Sequence, residues 1–235
     1  MFLRASSEAR KKQNAGNALG ENKMITKDQI IQWLKATAAV LEENAEYLTQ
    51  LDSPIGDADH GINMDRGFKK VMSKLPAVED KDIGTILKTA GMALVTSVGG
   101  AGGPLYGTFY MDAGRAVAGK TELSDEDLVA LLEAGLKGVV RIGKARLGDK
   151  TMVDAITPAV EALKQAFANG KSTIEALHLM TEAAYKGMKD TIPMLAKKGR
   201  ASYVGERSIG HQDPGATSSY MILKALMETV EASKS

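Results

Sequence analysis

From Thr26 onward, apolar residues recur every three or four positions, and that period leaves a chain little to become except a set of amphipathic helices. Thr26-Lys27-Asp28-Gln29 forms a capping box, in which the Thr hydroxyl caps the backbone and Gln29 reaches back. Ile30, Leu34, Thr37, Leu41, Ala45 and Leu48 then carry one stripe. Met64, Phe68, Val71, Met72 and Leu75 carry a second, stopped by Pro76, and Ile83, Ile86, Leu87, Ala90 and Leu94 a third. Tyr106, Phe109, Tyr110, Ala113 and Val117 form the fourth. The fifth starts at Ser124 with Asp127 three residues on, and continues through Leu128, Leu131, Leu132, Gly135 and Val139. Ile156, Val160, Leu163 and Phe167 mark the sixth, with Pro158 in its first turns. The seventh runs from near Thr173 through Leu177, Met180, Ala184 and Met188 to Ile192 and Leu195, with Pro193 placed to kink or end it. Met221, Leu223, Leu226, Met227 and Val230 mark the eighth. No window alternates over strand length. The expected fold is all-α, one domain of about eight helices, mostly up-and-down by loop length.

Composition narrows the function classes. The 235 residues carry a net charge of +1, which argues against a nucleic-acid binder driven by bulk charge. No apolar run approaches the roughly 20 residues of a membrane helix. The chain has no cysteine, so disulfides, thiolate metal sites and cysteine nucleophiles are excluded. Residues 1–24 are polar and basic, without apolar periodicity or the apolar core of a secretory signal. They are expected to be a disordered leader appended before a natural start at Met24, with residues 25–235 as the single domain. With no export signal, the expected compartment is the cytoplasm.

Three segments interrupt the helical pattern: Leu51–Asn63, Ser97–Pro104 and Gly199–Thr217. They are rich in Gly, Asp and Ser where short turns would suffice, which points to function there. A fourth feature, Gly114–Thr121, matches the phosphate-loop pattern GxxxxGK[ST]. It falls at the C-terminal end of a predicted helix, where the dipole repels phosphate, so it reads as a helix stop with a solvated Lys120. His178, inside the seventh stripe, reads as a surface or core histidine rather than a ligand.

The richest chemistry lies in Ile55-Gly56-Asp57-Ala58-Asp59-His60-Gly61-Ile62-Asn63, with Asp52 five residues before Asp57. Clustered carboxylates repel one another unless cations lie between them, and hard oxygen ligands suit Mg²⁺ or Ca²⁺. The EF-hand spacing is absent, and the plain alternative is a set of Asx-turns and helix caps. Thr96–Pro104 opens the fourth helix with glycines that let backbone amides approach an anion at a helix start. The late segment supplies Arg200 and Arg207 and a turn at Asp213-Pro214-Gly215, with Thr217 or Ser218 placed to cap the last helix.

Four motifs occur in order: Asp52…Asp57-Ala58-Asp59-His60-Gly61…Asn63-Met64, Ser97-Val98-Gly99-Gly100-Ala101, Gly148-Asp149-Lys150-Thr151-Met152, and Gly205-Glu206-Arg207-Ser208…Gly210–Ala216. Together they resemble the nucleotide-binding L-subunit family of dihydroxyacetone kinases, over essentially all of residues 24–235. The resemblance implies a barrel of eight antiparallel amphipathic helices with nucleotide bound in the loops at one end. It implies that Asp52, Asp57 and Asp59 hold two Mg²⁺ ions and that His60, Gly61, Ile62 and Asn63 line ADP or ATP. By the same resemblance, Ala101 and Gly102 lie over the β-phosphate, Gly143 and Met152 frame the adenine, and Arg200 with Asp213, Pro214 and Gly215 closes the site. Gly102 departs from the serine common in the family, which removes a hydroxyl and keeps the amide.

The implied activity is that of a phosphotransferase subunit working only with partners. ADP stays bound, an M subunit charged from phosphoenolpyruvate rephosphorylates it, and the γ-phosphoryl passes to dihydroxyacetone on a K subunit. No nucleophilic side chain is expected. Two alternatives stand beside it: a subunit that exchanges ATP freely, and a non-enzymatic module that senses nucleotide or holds a lipid.

Overall fold

The computed structural model describes residues 24–233, so the leader expected over residues 1–24 lies almost wholly outside the described residues. The order is β1 (Ile25–Thr26), α1 (Lys27–Glu43), α2 (Ala45–Asp52), α3 (His60–Lys74), α4 (Ile83–Ser97), α5 (Gly102–Ala116), β2 (Glu122–Leu123), α6 (Asp125–Gly143), α7 (Val153–Ala168), α8 (Thr173–Asp190) and α9 (Pro214–Ala232). Short 3₁₀ segments follow α3 at Leu75–Ala77 and precede α9 at Arg200–Ser208. Among the described residues, none of these helices is long and apolar enough to cross a membrane.

Eight helices close a ring. Each of α1, α3, α4, α5, α6, α7, α8 and α9 packs on the next, and α9 returns to α1. The expected all-α barrel is therefore the observed one, with α2 as an extra piece packed on α3 and α9. Its axis is filled by aromatic rings. Tyr110 lies between Trp33, Phe68 and Phe109, with centroids 5.6, 6.0 and 5.4 Å away. The Trp33 indole N–H donates to the Ile222 carbonyl at 2.9 Å, which removes the cost of burying that polar atom. Fully burying each such large apolar side chain contributes about 1.5–3 kcal/mol. Helices α4 and α5 pack backbone to backbone, where a Cβ on Gly91 would lie 2.6 Å from the Gly107 carbonyl oxygen. Only glycine allows that approach.

Several expectations need correction. The first stripe is two helices, because Asn44 leaves helical geometry and its side chain donates to the Val40 carbonyl at 2.8 Å, satisfying an otherwise open helix end. Leu51, Asp52 and His60–Asn63, expected in a loop, belong to helices α2 and α3. The seventh stripe ends at Asp190, short of Ile192 and Leu195. Pro193 has no N–H to continue the ladder, and the Thr191 hydroxyl instead accepts the Asp213 N–H at 3.0 Å. The last helix begins at Pro214 with Asp213 as its cap, accepting from Ala216 N–H at 2.7 Å, so Thr217 and Ser218 lie inside it. Two short strands also form: Ile25 pairs with Leu123 and Thr26 with Glu122, antiparallel. Two residues are too few to show alternation in a sequence.

Candidate functional site

The helices alternate in direction, so the connections α2–α3, α4–α5, α6–α7 and α8–α9 gather at one end of the barrel. A cavity of about 250 Å³ lies among them. Its wall holds Asp52, Asp57 and Asp59 on one side, and Val98 to Gly102 with Asn63 beside them. Leu105, Val139, Gly143, Ala145, Met152 and Val153 make an apolar face. Arg200 and Asp213–Gly215 complete it.

Asp52 ends α2 and is buried; one of its oxygens accepts the N–H of Asp59 at 3.0 Å and of His60 at 3.3 Å. The chain turns tightly there, with Ala58 at φ 57°. A Cβ on Gly56 would fall 1.9 Å from the Asp52 carboxylate, so any side chain there would displace that carboxylate. One oxygen from each of Asp52, Asp57 and Asp59 lies within 4.8 Å of the others. Burial pushes the Asp57 carboxyl above its ordinary range, Asp59 and Asp52 add to this, and Arg200 opposes it. A group of anions that raises its own proton affinity is suited to a hard cation between them. Asp59 occupies the N-cap position of α3 without capping it, so the Asx-cap reading does not account for its carboxylate.

Across the cavity, the glycine segment approaches backbone closely. A Cβ on Gly103 would lie 2.5 Å from the Val98 carbonyl, and one on Gly99 3.0 Å from the Asn63 side chain. Arg66 donates to the Ser97 carbonyl at 3.0 Å and to the Asn63 amide oxygen, which leaves the Asn63 NH₂ as the free end of that side chain. Ala101 starts α5 with no side-chain cap, and Pro104 removes one further donor there. His60 bonds to Ser218 Oγ at 2.8 Å, and burial lowers its pKa, which keeps the imidazole neutral at pH 7. Arg200 Nε reaches Asp57 Oδ2 at 2.9 Å across the mouth.

With this geometry in place, the comparisons with known proteins become specific. The profile of the DAK2 domain matches residues 54–228. The chain belongs to the DAK2 domain family. It is 50% identical over 202 residues to the ADP-binding subunit DhaL of the PEP-dependent dihydroxyacetone kinase of Escherichia coli (strain K12), covering 86% of this chain and 96% of that one. It is 41% identical over 207 residues to the ADP-binding subunit DhaL of the PTS-dependent dihydroxyacetone kinase of Lactococcus lactis, covering 88% and 100%. A crystal structure of the dihydroxyacetone kinase from C. freundii in complex with AMP-PNP and Mg²⁺ superposes with a TM-score of 0.66 at 25% identity. That match covers 88% of this chain and 35% of the larger enzyme's.

Of the residues singled out in the sequence, this DAK2 domain brings Asp52, Asp57, Asp59, His60, Asn63, Ala101, Gly102, Gly143, Met152, Arg200, Asp213, Pro214 and Gly215 to one cavity wall. It does not bring Gly61 or Ile62 there. Gly61 is packed against α2, where a Cβ would meet the Ala45 carbonyl at 1.8 Å, and Ile62 points outward at 56% exposure. The phosphate-loop look-alike ends α5, and Lys120 pairs with Asp127 at 2.8 Å, far from the cavity. His178 pairs with Glu231 on the surface at 2.9 Å.

Among the wall residues without a role in the sequence reading, Tyr106 and Lys150 are the two most constrained by polar partners. Tyr106 bonds to the Gly215 carbonyl at 3.0 Å and to Ser218 and Ser219 at 2.7 and 2.9 Å; burial pushes its hydroxyl up to about 12. It passes for a core aromatic by spacing. Lys150 is 1% exposed, and a lysine in a polar segment gives no sign that it will be buried.

Proposed function

We propose that the chain is the ADP-binding subunit of a phosphoenolpyruvate-dependent dihydroxyacetone kinase. A bound nucleotide would be rephosphorylated by an M subunit and would pass its γ-phosphoryl to dihydroxyacetone held on a K subunit. The observation that carries this reading is the pairing of three carboxylates within 4.8 Å with an uncapped helix start across one cavity. The first suits cations, and the second suits an anion. A magnesium diphosphate or triphosphate combines both. When bound, magnesium would neutralise phosphate charge and bridge phosphate oxygens.

Asp52, Asp57 and Asp59 would hold the metal, two ions by the resemblance. The amides of Gly99–Gly103 would take the phosphates, with Ala101 and Gly102 nearest. Leu105, Val139, Gly143, Met152 and Val153 would exclude water from the base. Arg200 would close the mouth, and no side-chain nucleophile is needed because positioning and charge supply the catalysis. His60, Asn63, Asp213, Pro214 and Gly215 would shape the remaining wall.

Holding a lipid is the weaker reading for the barrel. Trp33, Phe68, Phe109 and Tyr110 fill its axis, and a cavity beside Phe109 and Ile222, of about 10 Å³, holds at most one water. Native mass spectrometry of the purified protein should show ADP with two Mg²⁺, retained through dialysis. Protein that neither carries nor binds ADP in the presence of Mg²⁺ would refute the proposal.

A further inference from the structure

The cavity wall contains a cation that touches none of the three carboxylates. Lys150 is fully buried, yet its ammonium lacks no partner. It donates to the carbonyls of Thr191 at 2.6 Å, Ile192 at 3.4 Å and His211. An ammonium has three protons, and three carbonyls receive them. These carbonyls belong to two stretches that flank the Arg200–Ser208 segment: one just past α8 and one just before α9. Lys150 itself lies two residues before Met152 and three before the start of α7.

The three stretches meet around one turn. The Asp213 N–H donates to the Thr191 hydroxyl at 3.0 Å, so the residue after Gln212 is tied to the strand of chain that Lys150 holds. The turn then passes close to Met152: a Cβ on Gly215 would lie 3.6 Å from the Met152 nitrogen. Asp213 and Asp154 are the carboxylates whose charges act on Lys150, and Asp154 is itself fixed by the N–H groups of Gly148 at 2.6 Å and Thr151 at 2.8 Å. Two backbone bonds share this corner with the ammonium: the Gly210 N–H donates to the Ile192 carbonyl at 2.8 Å, and the Lys197 N–H to the Asp149 carbonyl at 3.0 Å.

We infer that Lys150 is a positioning residue: its buried ammonium clamps the ends of α8 and of the late segment to the 148–152 stretch, and so sets the spacing between Met152 and Asp213–Gly215 that grips the nucleotide. This rests on the function proposed above, and it adds a residue that acts on the nucleotide through others. A hydrophobic residue of similar length fills the same space but leaves the His211 carbonyl without a donor and takes one donor from the Thr191 and Ile192 carbonyls, which keep only the Met194 and Gly210 N–H groups, so it cannot substitute. Arginine cannot either, because its planar fork does not match three carbonyls converging on a point.

The test uses Lys150→Met, with amide hydrogen exchange on the nucleotide-free protein and the ADP dissociation rate in Mg²⁺ as separate readouts. The expected result is faster exchange confined to residues 191–192 and 211–216, together with ADP dissociation at least tenfold faster. Exchange unchanged in those residues would overturn the clamp. Faster exchange with an unchanged ADP rate would overturn the positioning role and leave a purely structural one. Faster exchange in a protein whose wild type binds no ADP would leave the clamp standing and refute the proposed function. Should Lys150→Met not fold, the cysteine-free chain offers a second route. Lys150→Cys can be alkylated in denaturant with 2-bromoethylamine, restoring an ammonium at lysine length, or with 1-bromopropane, giving a neutral side chain of the same length. Slow ADP release after refolding of the first and not the second supports the inference; equal behaviour of the two overturns it.

Discussion

At the end of the barrel away from the cavity, α1, α4, α6 and α8 begin on Thr26, Asp82, Ser124 and Ser172, and each of these side chains accepts a backbone N–H. Three of the four are full capping boxes. At the cavity end, α3, α5 and α7 begin on Asp59, Ala101 and Met152, and none caps its own helix. Asp213 caps α9, and side chains from outside the cap position accept one N–H at two of the others: Asp52 from His60 at α3 and Thr151 from Val153 at α7. A helix start without a cap leaves donors and the positive end of its dipole facing whatever is in front of it. One end of the molecule caps these four helix starts with their own N-cap side chains; at the other, the α5 start keeps that capacity for an anion. The same contrast appears in charge, with ion pairs spread over the outer surface and three carboxylates crowded at the mouth.

The contrast can be broken at its strongest point first. Asp57→Ala should abolish Mg²⁺-dependent ADP binding and lower phosphoryl transfer by at least about 10²-fold. Thermal stability should hold or rise, because a like charge is removed. Isothermal titration with and without Mg²⁺, beside a melting curve, measures both; unchanged binding would remove the metal site. The second test uses protons. Burial pushes the Asp213 carboxyl up to about 7, helped by Asp154 and Asp52 and opposed by the Ala216 N–H and Lys150. Its unfolded value is near 3.9. The folded protein thus binds this proton more tightly, and the stability it adds at low pH is lost as pH rises from about 4 to about 7. Denaturant unfolding of the nucleotide-free protein should show a loss on the order of 2–4 kcal/mol over that window relative to Asp213→Asn, which keeps the cap without the charge.

A third test imports the far end's habit to the cavity. Ala101→Asp places an acceptor and a negative charge at the start of α5. ADP affinity should fall about tenfold, while stability holds or gains up to about 0.5 kcal/mol. Unaltered affinity would mean the α5 start does not face phosphate. The smallest effect belongs to the far end itself. Ser124→Ala should cost about 1 kcal/mol, a shift of about 2–4 °C in melting temperature, and leave ADP affinity untouched.

This asymmetry also explains what could be read from the sequence. The starts at Thr26 and Ser124 are visible because the capping residue and its partner three positions on are both in the text. The start at Gly102 is marked only to within a few residues, by the glycines and Pro104; those at His60 and Pro214 are harder, since nothing local marks the first and at the second Asp213-Pro214-Gly215 reads as a turn. The carboxylate cluster was legible because Asp is conspicuous in a helical chain. Lys150 and Tyr106 were not, because their roles depend on carbonyls and hydroxyls 41 to 113 positions away, which no spacing rule reaches. Gly61 departs in the opposite direction: the family resemblance implied a wall residue, but helix geometry turns it toward α2.

The pairing of β1 with β2 holds Ile25 against Leu123, and α9 runs from the cavity wall for 19 residues, about 28 Å, before it stops at Ala232. Both ends of the described chain therefore depart from the side remote from the mouth. A fluorophore, affinity handle or sensor-chip linker attached at Met24 or Ser233 leaves the nucleotide face unobstructed, so binding of other macromolecules there can be timed on immobilised protein without the linker standing in the way.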